Sequence, residues 1–391
     1  APRSSFDNHY PRARWYLPAV SGVLSLVSFF QRFSRGPVFA GERPNCMAQD
    51  LGSDAHFDVR RSGMLGSLWR AQVILAWKNP RWMPLIWLMR LCGATVLNVT
   101  TDDATAREYG AYCKIVWSNL MSVADRDAVL AENRERFMRV AKQVRRKNSA
   151  QACVMGNGPT LEHALEFDLA NTLVILCNTT VGDDRIMSHA TPAFVCASDV
   201  VSHLGVSAPA GAFRRMLFSA MPRYEFTFVT TAAFGYLLSL HYPQYRERIV
   251  LIDQACDDPV YDLAESFRSP KLDSVMNILM LPLAATFCTD IWLLGADGKS
   301  TSRDNEDFWA HATTSAADAD LVKAGHFCHP TFDLHRQQTT YRRYNESIER
   351  TVTIGETQHG KRYRCLFSSN TPVLTSRVIP EAWRETCRPD N

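Results

Sequence analysis

From about residue 150 the chain alternates short apolar runs with helix-length segments, and this alternation constrains its fold more than any other feature. The runs are Ala152 to Met155, Leu173 to Cys177, Ala193 to Ala197, Phe226 to Thr230, Ile249 to Ile252, Ile291 to Leu294 and Tyr363 to Phe367. They are apolar almost throughout, without the in-and-out alternation of a half-solvated strand. Strands of this kind are buried on both faces, which calls for a mostly parallel sheet with helices above and below it. The expected fold class is α/β, with a Rossmann-like sheet preceded by a helical amino-terminal region.

In an open α/β sheet, ligands bind outside the carboxyl ends of the strands, so the residue after each run matters most for function. Met155 is followed by Gly156-Asn157-Gly158-Pro159-Thr160, and Cys177 by Asn178. Ala197 leads to Ser198-Asp199, Leu294 to Gly295-Ala296-Asp297, and Phe367 to Ser368-Ser369-Asn370. These small and polar residues are expected to converge on one crevice. In the turn at 156–160 the two glycines permit close backbone approach, and Thr160 is expected to cap the helix that follows. Free N–H groups at that helix start would suit a phosphate. The turn is neither G-x-G-x-x-G nor a Walker motif, since no lysine follows.

Ahead of this core lie two other regions. Residues 1–46 read as a leader or extension: Tyr16 to Phe30 is apolar and flanked by arginines, resembling a signal sequence or anchor, but it is short for a bilayer span. Residues 47–149 read as a helical region. Within it Trp69, Trp77, Trp82 and Trp87 interleave with Arg70, Lys78, Arg81 and Arg90. That pattern suits either core-packing helices or peripheral membrane contact. A long helix is expected from a Ser122 cap to about Lys147, acidic early and basic late, as its dipole prefers. Residues 150–391 then form a single α/β catalytic domain.

Composition narrows the classes. A net charge of +3 across 391 residues gives no basis for nucleic-acid binding, so no nucleic-acid partner is expected. Eleven cysteines without a C-x-x-C pair suit reduced thiols in a cytoplasmic protein, at the inner face of the membrane if the Trp-rich segment touches lipid. Most of these cysteines lie in apolar runs and read as core.

The strand-end pattern carries a resemblance. Gly156-Asn157-Gly158-Pro159-Thr160-Leu161, Cys177-Asn178, and the segment from Ser274 through Asp290 to Asp297 resemble bacterial CMP-sialic acid-dependent sialyltransferases. They are similar also to two related groups, the motility-associated factor glycosyltransferases and the 6-hydroxymethylpterin diphosphokinase-like domains. The resemblance covers roughly residues 150–375. It implies a CMP-sugar donor as substrate, with no cofactor required, and a glycan or lipid-linked acceptor. By position it puts Asn157 and Gly158 near the nucleotide phosphate and Asn178 beside the sugar-nucleotide, with Gly156, Pro159 and Thr160 of the same turn counted among the donor-binding residues. Asp199, Asp297, Ser369 and Asn370 fall around the donor. The tyrosines that follow the aspartate in the sialyltransferases are replaced here by Gly298, Lys299 and Ser300, so Lys299 becomes a candidate charge for the leaving phosphate.

A general base is expected among the histidines between His311 and His335. The resemblance ranks His335 first, in the segment leading to the helix at 341–351, and His329 second. The cluster His326-Phe327-Cys328-His329 matches no standard zinc spacing, and no metal site is assigned. Two alternatives remain open. A Mg²⁺-ATP-dependent diphosphate transfer would use Asp199 and Asp297 together. A non-catalytic role in surface-polysaccharide assembly would fit the missing tyrosines.

Overall fold

The computed structural model of the chain describes residues 38–40, 60–61, 73–77, 95–99, 113, 117–118, 121–205, 208–272, 274–299 and 334–385. Four short strands come first, β1 (Val38–Ala40), β2 (Arg60–Arg61), β3 (Val73–Trp77) and β4 (Thr95–Val99). They form a parallel sheet in the order β2-β1-β3-β4. Within the Trp-rich segment, Val73–Trp77 is strand and not the helix expected there. Val73-Ile74-Leu75-Ala76-Trp77 is a five-residue apolar run, too short for its periodicity to separate strand from helix, and pairing on both sides settles it as strand.

The long helix α1 (Val123–Lys147) precedes the main sheet as expected. Ser122 Oγ accepts from Asp125 N–H at 3.0 Å, Arg145 to Lys147 occupy the last turn, and Asn148 ends the helix in the left-handed region at φ 49°.

The main sheet, eight-stranded among the described residues, runs β10-β9-β8-β7-β6-β5-β11-β12. Its strands are β5 (Gln151–Met155), β6 (Thr172–Cys177), β7 (Phe194–Cys196), β8 (Thr227–Thr231), β9 (Ile249–Cys256), β10 (Arg268–Pro270), β11 (Asp290–Leu294) and β12 (Arg362–Cys365). Every neighbouring pair is parallel. Seven of the eight coincide with the apolar runs. The short β10 does not: Arg-Ser-Pro has no strand signature, and its proline is tolerated because the strand lies at an edge.

Alternation along β5 shows how both faces are closed. Ala152 and Val154 join one core with Phe137 and Ala141 of α1, Leu281 to Ala285 of α5 (Leu281–Phe287), and Ile348 of α6 (Leu334–His359). Cys153 and Met155 join the other, with Leu161, Ile186 of α2 (Asp184–Ala190), Phe213 of α3 (Ala208–Ala220) and Leu238 of α4 (Ala232–His241). Cys153, Cys177, Cys196 and Cys365 are buried, free thiols, and burial pushes Cys153 up to about 12. They behave as small apolar residues.

The chain steps outward from β5 to β10 and then returns to place β11 on the other side of β5. The point of reversal lies between β5 and β11, and in open parallel sheets ligands bind at such a point, outside the strands' carboxyl ends.

Candidate functional site

At this reversal the turns after β5 and β11 meet backbone to backbone. Gly156 N–H donates to Leu294 O at 2.8 Å, and Gly158 N–H donates to Gly295 O at 2.9 Å. A methyl group on Gly156 would sit 2.4 Å from Gly295 O, and one on Gly295 would sit 2.2 Å from Gly156 O. Gly295 also lies at φ 66°, where a side chain is strained. The glycines therefore serve first to let two strand ends touch.

Asp297 closes the joint. Its carboxylate accepts from Thr160 N–H at 3.3 Å and from Thr160 Oγ1 at 2.9 Å, while Thr160 Oγ1 accepts from Gly295 N–H at 3.1 Å. Burial raises its pKa above the ordinary carboxylate value, opposed by the two Thr160 bonds and by the nearby His163. The segment Pro159–Glu166 is a 3-10 helix whose N-cap is Gly158, not Thr160. The N–H groups of Gly156, Gly158, Thr160 and Leu161 all have partners within the protein. The free backbone cradle expected for a phosphate is thus not formed by these groups, because Asp297 and the β11 carbonyls fill it. Pro159 is exposed at the first helical position.

The neighbouring strand end is tied in through Asn157. Its Nδ2 donates to Thr179 Oγ1 at 3.3 Å, and its Oδ1 accepts from Thr180 Oγ1 at 2.8 Å and from Cys177 Sγ at 3.4 Å. Burial pushes the Cys177 thiol up to about 12, so it is a donor here and not a nucleophile. Asn178 differs from its neighbours. It opens the short 3-10 turn Asn178–Gly182 with φ 52°, and its Oδ1 is buried without a hydrogen-bond partner among the described residues.

The loop after β12 completes the rim. Asn370 N–H donates to Asp297 O at 2.6 Å, and buried Ser369 donates from Oγ to Ala296 O at 2.6 Å. Lys299 N–H donates to Tyr341 Oη at 3.0 Å, and that hydroxyl lies 3.2 Å from Lys299 O. Tyr341 of α6 thus holds the loop in which Gly298 and Lys299 stand.

Asp199 stays apart from this group. Its Oδ2 accepts from Ser202 N–H at 2.9 Å and lies 4.0 Å from His203 Nδ1. It follows β7, three strand steps from β11, about 14 Å at the usual sheet spacing. Asp199 and Asp297 are each engaged locally and do not make a Mg²⁺ pair. Among the described residues no three His, Cys, Asp or Glu groups are placed to hold a metal. His329 lies outside the described residues, and His335 is described only as backbone of α6.

Sequence reading missed His163, Glu166, Phe367 and Arg384. His163 Nδ1 is 2.6 Å from Glu166 Oε1, its ring stacks on Phe367 with centroids 4.3 Å apart, and Arg384 lies over the same phenyl ring at 4.3 Å. The signal was the three-residue spacing Thr160-His163-Glu166, one face of a 3-10 helix and not of an α-helix.

No family model and no curated protein matches the chain. Among solved structures, the sialyltransferase CstII from Campylobacter jejuni, in complex with the substrate analogue CMP-3FNeuAc, aligns at 13% identity and a TM-score of 0.35. That alignment covers 62% of this chain and 89% of that one. CstII with cytidine 5'-monophosphate aligns at 16% identity and TM-score 0.32, over 59% of this chain and 88% of that one. The monofunctional α-2,3-sialyltransferase Cst-I of the same organism gives 12% and 0.33, over 56% and 76%. With TM-scores this low these likenesses decide nothing about the chemistry. Among the described residues no helix is long and apolar enough to cross a membrane.

Proposed function

We propose that the chain is a cytoplasmic glycosyltransferase that moves a sugar, an acidic nonulosonate being the candidate, from a CMP-activated donor to a glycan or lipid-linked acceptor. The observation that carries this reading is Asn178. Asn178 is a non-glycine residue held at φ 52° beside the reversal point, and its buried Oδ1 has no partner among the described residues, which leaves a polar group for a ligand to satisfy. Its Oδ1 accepts from a donor hydroxyl or amino group. The residue types around it agree with the strand-end pattern of the CMP-dependent transferases.

The reaction is an inverting single displacement. The acceptor oxygen attacks the anomeric carbon, its proton passes to an imidazole, and the bond to the CMP phosphate breaks with its electron pair on that phosphate. Because the backbone N–H groups of the glycine turn are already bonded, charge on the leaving phosphate is met by side chains, with the Asn178 amide and Lys299 as candidates. By resemblance, His335 and then His329 are the candidates for the imidazole. The scheme requires no metal.

Calorimetric titration with CMP, CTP, UDP-glucose and Mg²⁺-ATP tests the reading. CMP is expected to bind and Mg²⁺-ATP not to. Tight Mg²⁺-ATP binding without CMP binding would replace the transferase by a phosphate-transfer enzyme.

A further inference from the structure

The carboxyl edge of the sheet carries a second row of polar groups, set by the geometry of the helix that leaves the glycine turn. In the 3-10 helix Pro159–Glu166, residues three apart eclipse one another, so Thr160, His163 and Glu166 form one row. The row begins at the joint, where Thr160 Oγ1 donates to Asp297. It continues with an imidazole whose charge is felt by Asp297, and it ends in a carboxylate 2.6 Å from His163 Nδ1.

Two contacts fix the imidazole and leave one atom over. Glu166 accepts, so Nδ1 carries the hydrogen when Glu166 is ionised, and Nε2 then presents a lone pair. Phe367 covers one face of the ring at 4.3 Å and an interplanar angle of 23°, and Arg384 backs that phenyl group. Nε2 has no hydrogen-bond partner among the described residues, and the side chain is 44% exposed. This is a base oriented by a carboxylate and open to an incoming group. The other described histidines differ. His189 Nε2 is 2.9 Å from Phe167 O, His203 is buried edge-on against Phe213, and His359 stacks on Tyr261 just before β12 enters the sheet.

We propose that His163, oriented by Glu166, is the imidazole that takes the acceptor proton, in place of His335 or His329. The proposal rests on the transferase reading. Nε2 removes the acceptor hydroxyl's proton as that oxygen bonds to the anomeric carbon, CMP departs with the electron pair of the broken bond, and Glu166 stabilises the imidazolium through Nδ1–H. The proton is later released to solvent. Asp297 is near the ring and Arg384 lies over its Phe367 backing, and neither is hydrogen-bonded to it among the described residues.

The experiment follows CMP release from CMP-N-acetylneuraminate, with water as acceptor, alongside CMP binding by calorimetry. His163→Gly is expected to lose about 100-fold or more in kcat with KM and CMP affinity close to wild type, and added imidazole should restore part of the rate. Glu166→Gln should lose about tenfold, with the same unchanged CMP affinity. His163→Phe, which keeps a ring on Phe367, should be as inactive as His163→Gly and covers the case in which the glycine variant does not fold. Wild-type turnover by His163→Phe, or loss of turnover in His335→Ala while His163→Phe retains it, would overturn the assignment and leave the transferase reading intact. A wild-type protein that neither binds CMP nor cleaves the donor would overturn both.

Discussion

Gly295 is held where no other residue fits: φ is 66°, and a Cβ would lie 2.2 Å from Gly156 O. Left-handed strain of about 1–2 kcal/mol combines with overpacking of about 1–3 kcal/mol, so Gly295→Ala should lower unfolding stability by about 2–5 kcal/mol in urea titrations. Asp297 gives a pH signature. Its folded pKa is raised, so the native state holds a proton that the unfolded chain has lost in the window between the ordinary value of about 3.9 and the raised one. Stability from this group is therefore full below that window and is lost as pH rises through it. Asp297→Asn should remove that part of the slope in unfolding experiments run from acid pH upward, whereas an unchanged slope would mean that Asp297 is not the group responsible. Strand-end residues were legible at this scale because topology alone brings them to one edge. Their bonds were not: Thr160 looked like a cap and proved to be a strut between Gly295 and Asp297.

Helix α1 does more than cover a face. Strand β10 reaches β9 only from Asp253 onward, which leaves the first half of β9 with an open edge. Asn133 Oδ1 fills it by accepting from Leu251 N–H at 2.9 Å, and buried Arg136 donates to Ile249 O at 3.1 Å and to Asn133 Oδ1 at 2.9 Å. Asn133→Leu leaves a buried strand N–H and a guanidinium donor unpaired. It should cost about 2 kcal/mol or more in chemical denaturation, while Asn133→Asp, which keeps the acceptor, should cost less. Parallel strands were readable as continuous apolar runs, and α1 from its Ser122 cap and its charge gradient. Val73–Trp77 was misread because five apolar residues fit either period. The row Thr160-His163-Glu166 escaped because a 3-10 helix repeats every three residues.

For the molecule as a whole, the candidate site follows from one topological event, the return of the chain to set β11 beside β5. That event brings Gly156 against Gly295 and Asn370 N–H onto Asp297 O, beside the β6 end that Asn157 bonds and where Asn178 Oδ1 is buried with no partner among the described residues. The order of strand-end motifs along the sequence implied such a crevice, because ligand sites on open parallel sheets lie where the strand order reverses. Which groups would remain free after folding was not legible, since every small polar residue there has the same local appearance. Binding of a CMP-activated donor through Asn178 is tested by the CMP affinity of wild-type protein and of Asn178→Gly. Glycine is at ease at φ 52°, so the variant should fold with stability within about 1 kcal/mol of wild type. Wild-type protein is expected to bind CMP, and Asn178→Gly to bind it about tenfold or more weakly, as expected for one lost hydrogen bond. Equal CMP affinity in the two proteins, or no CMP binding by either, would contradict it.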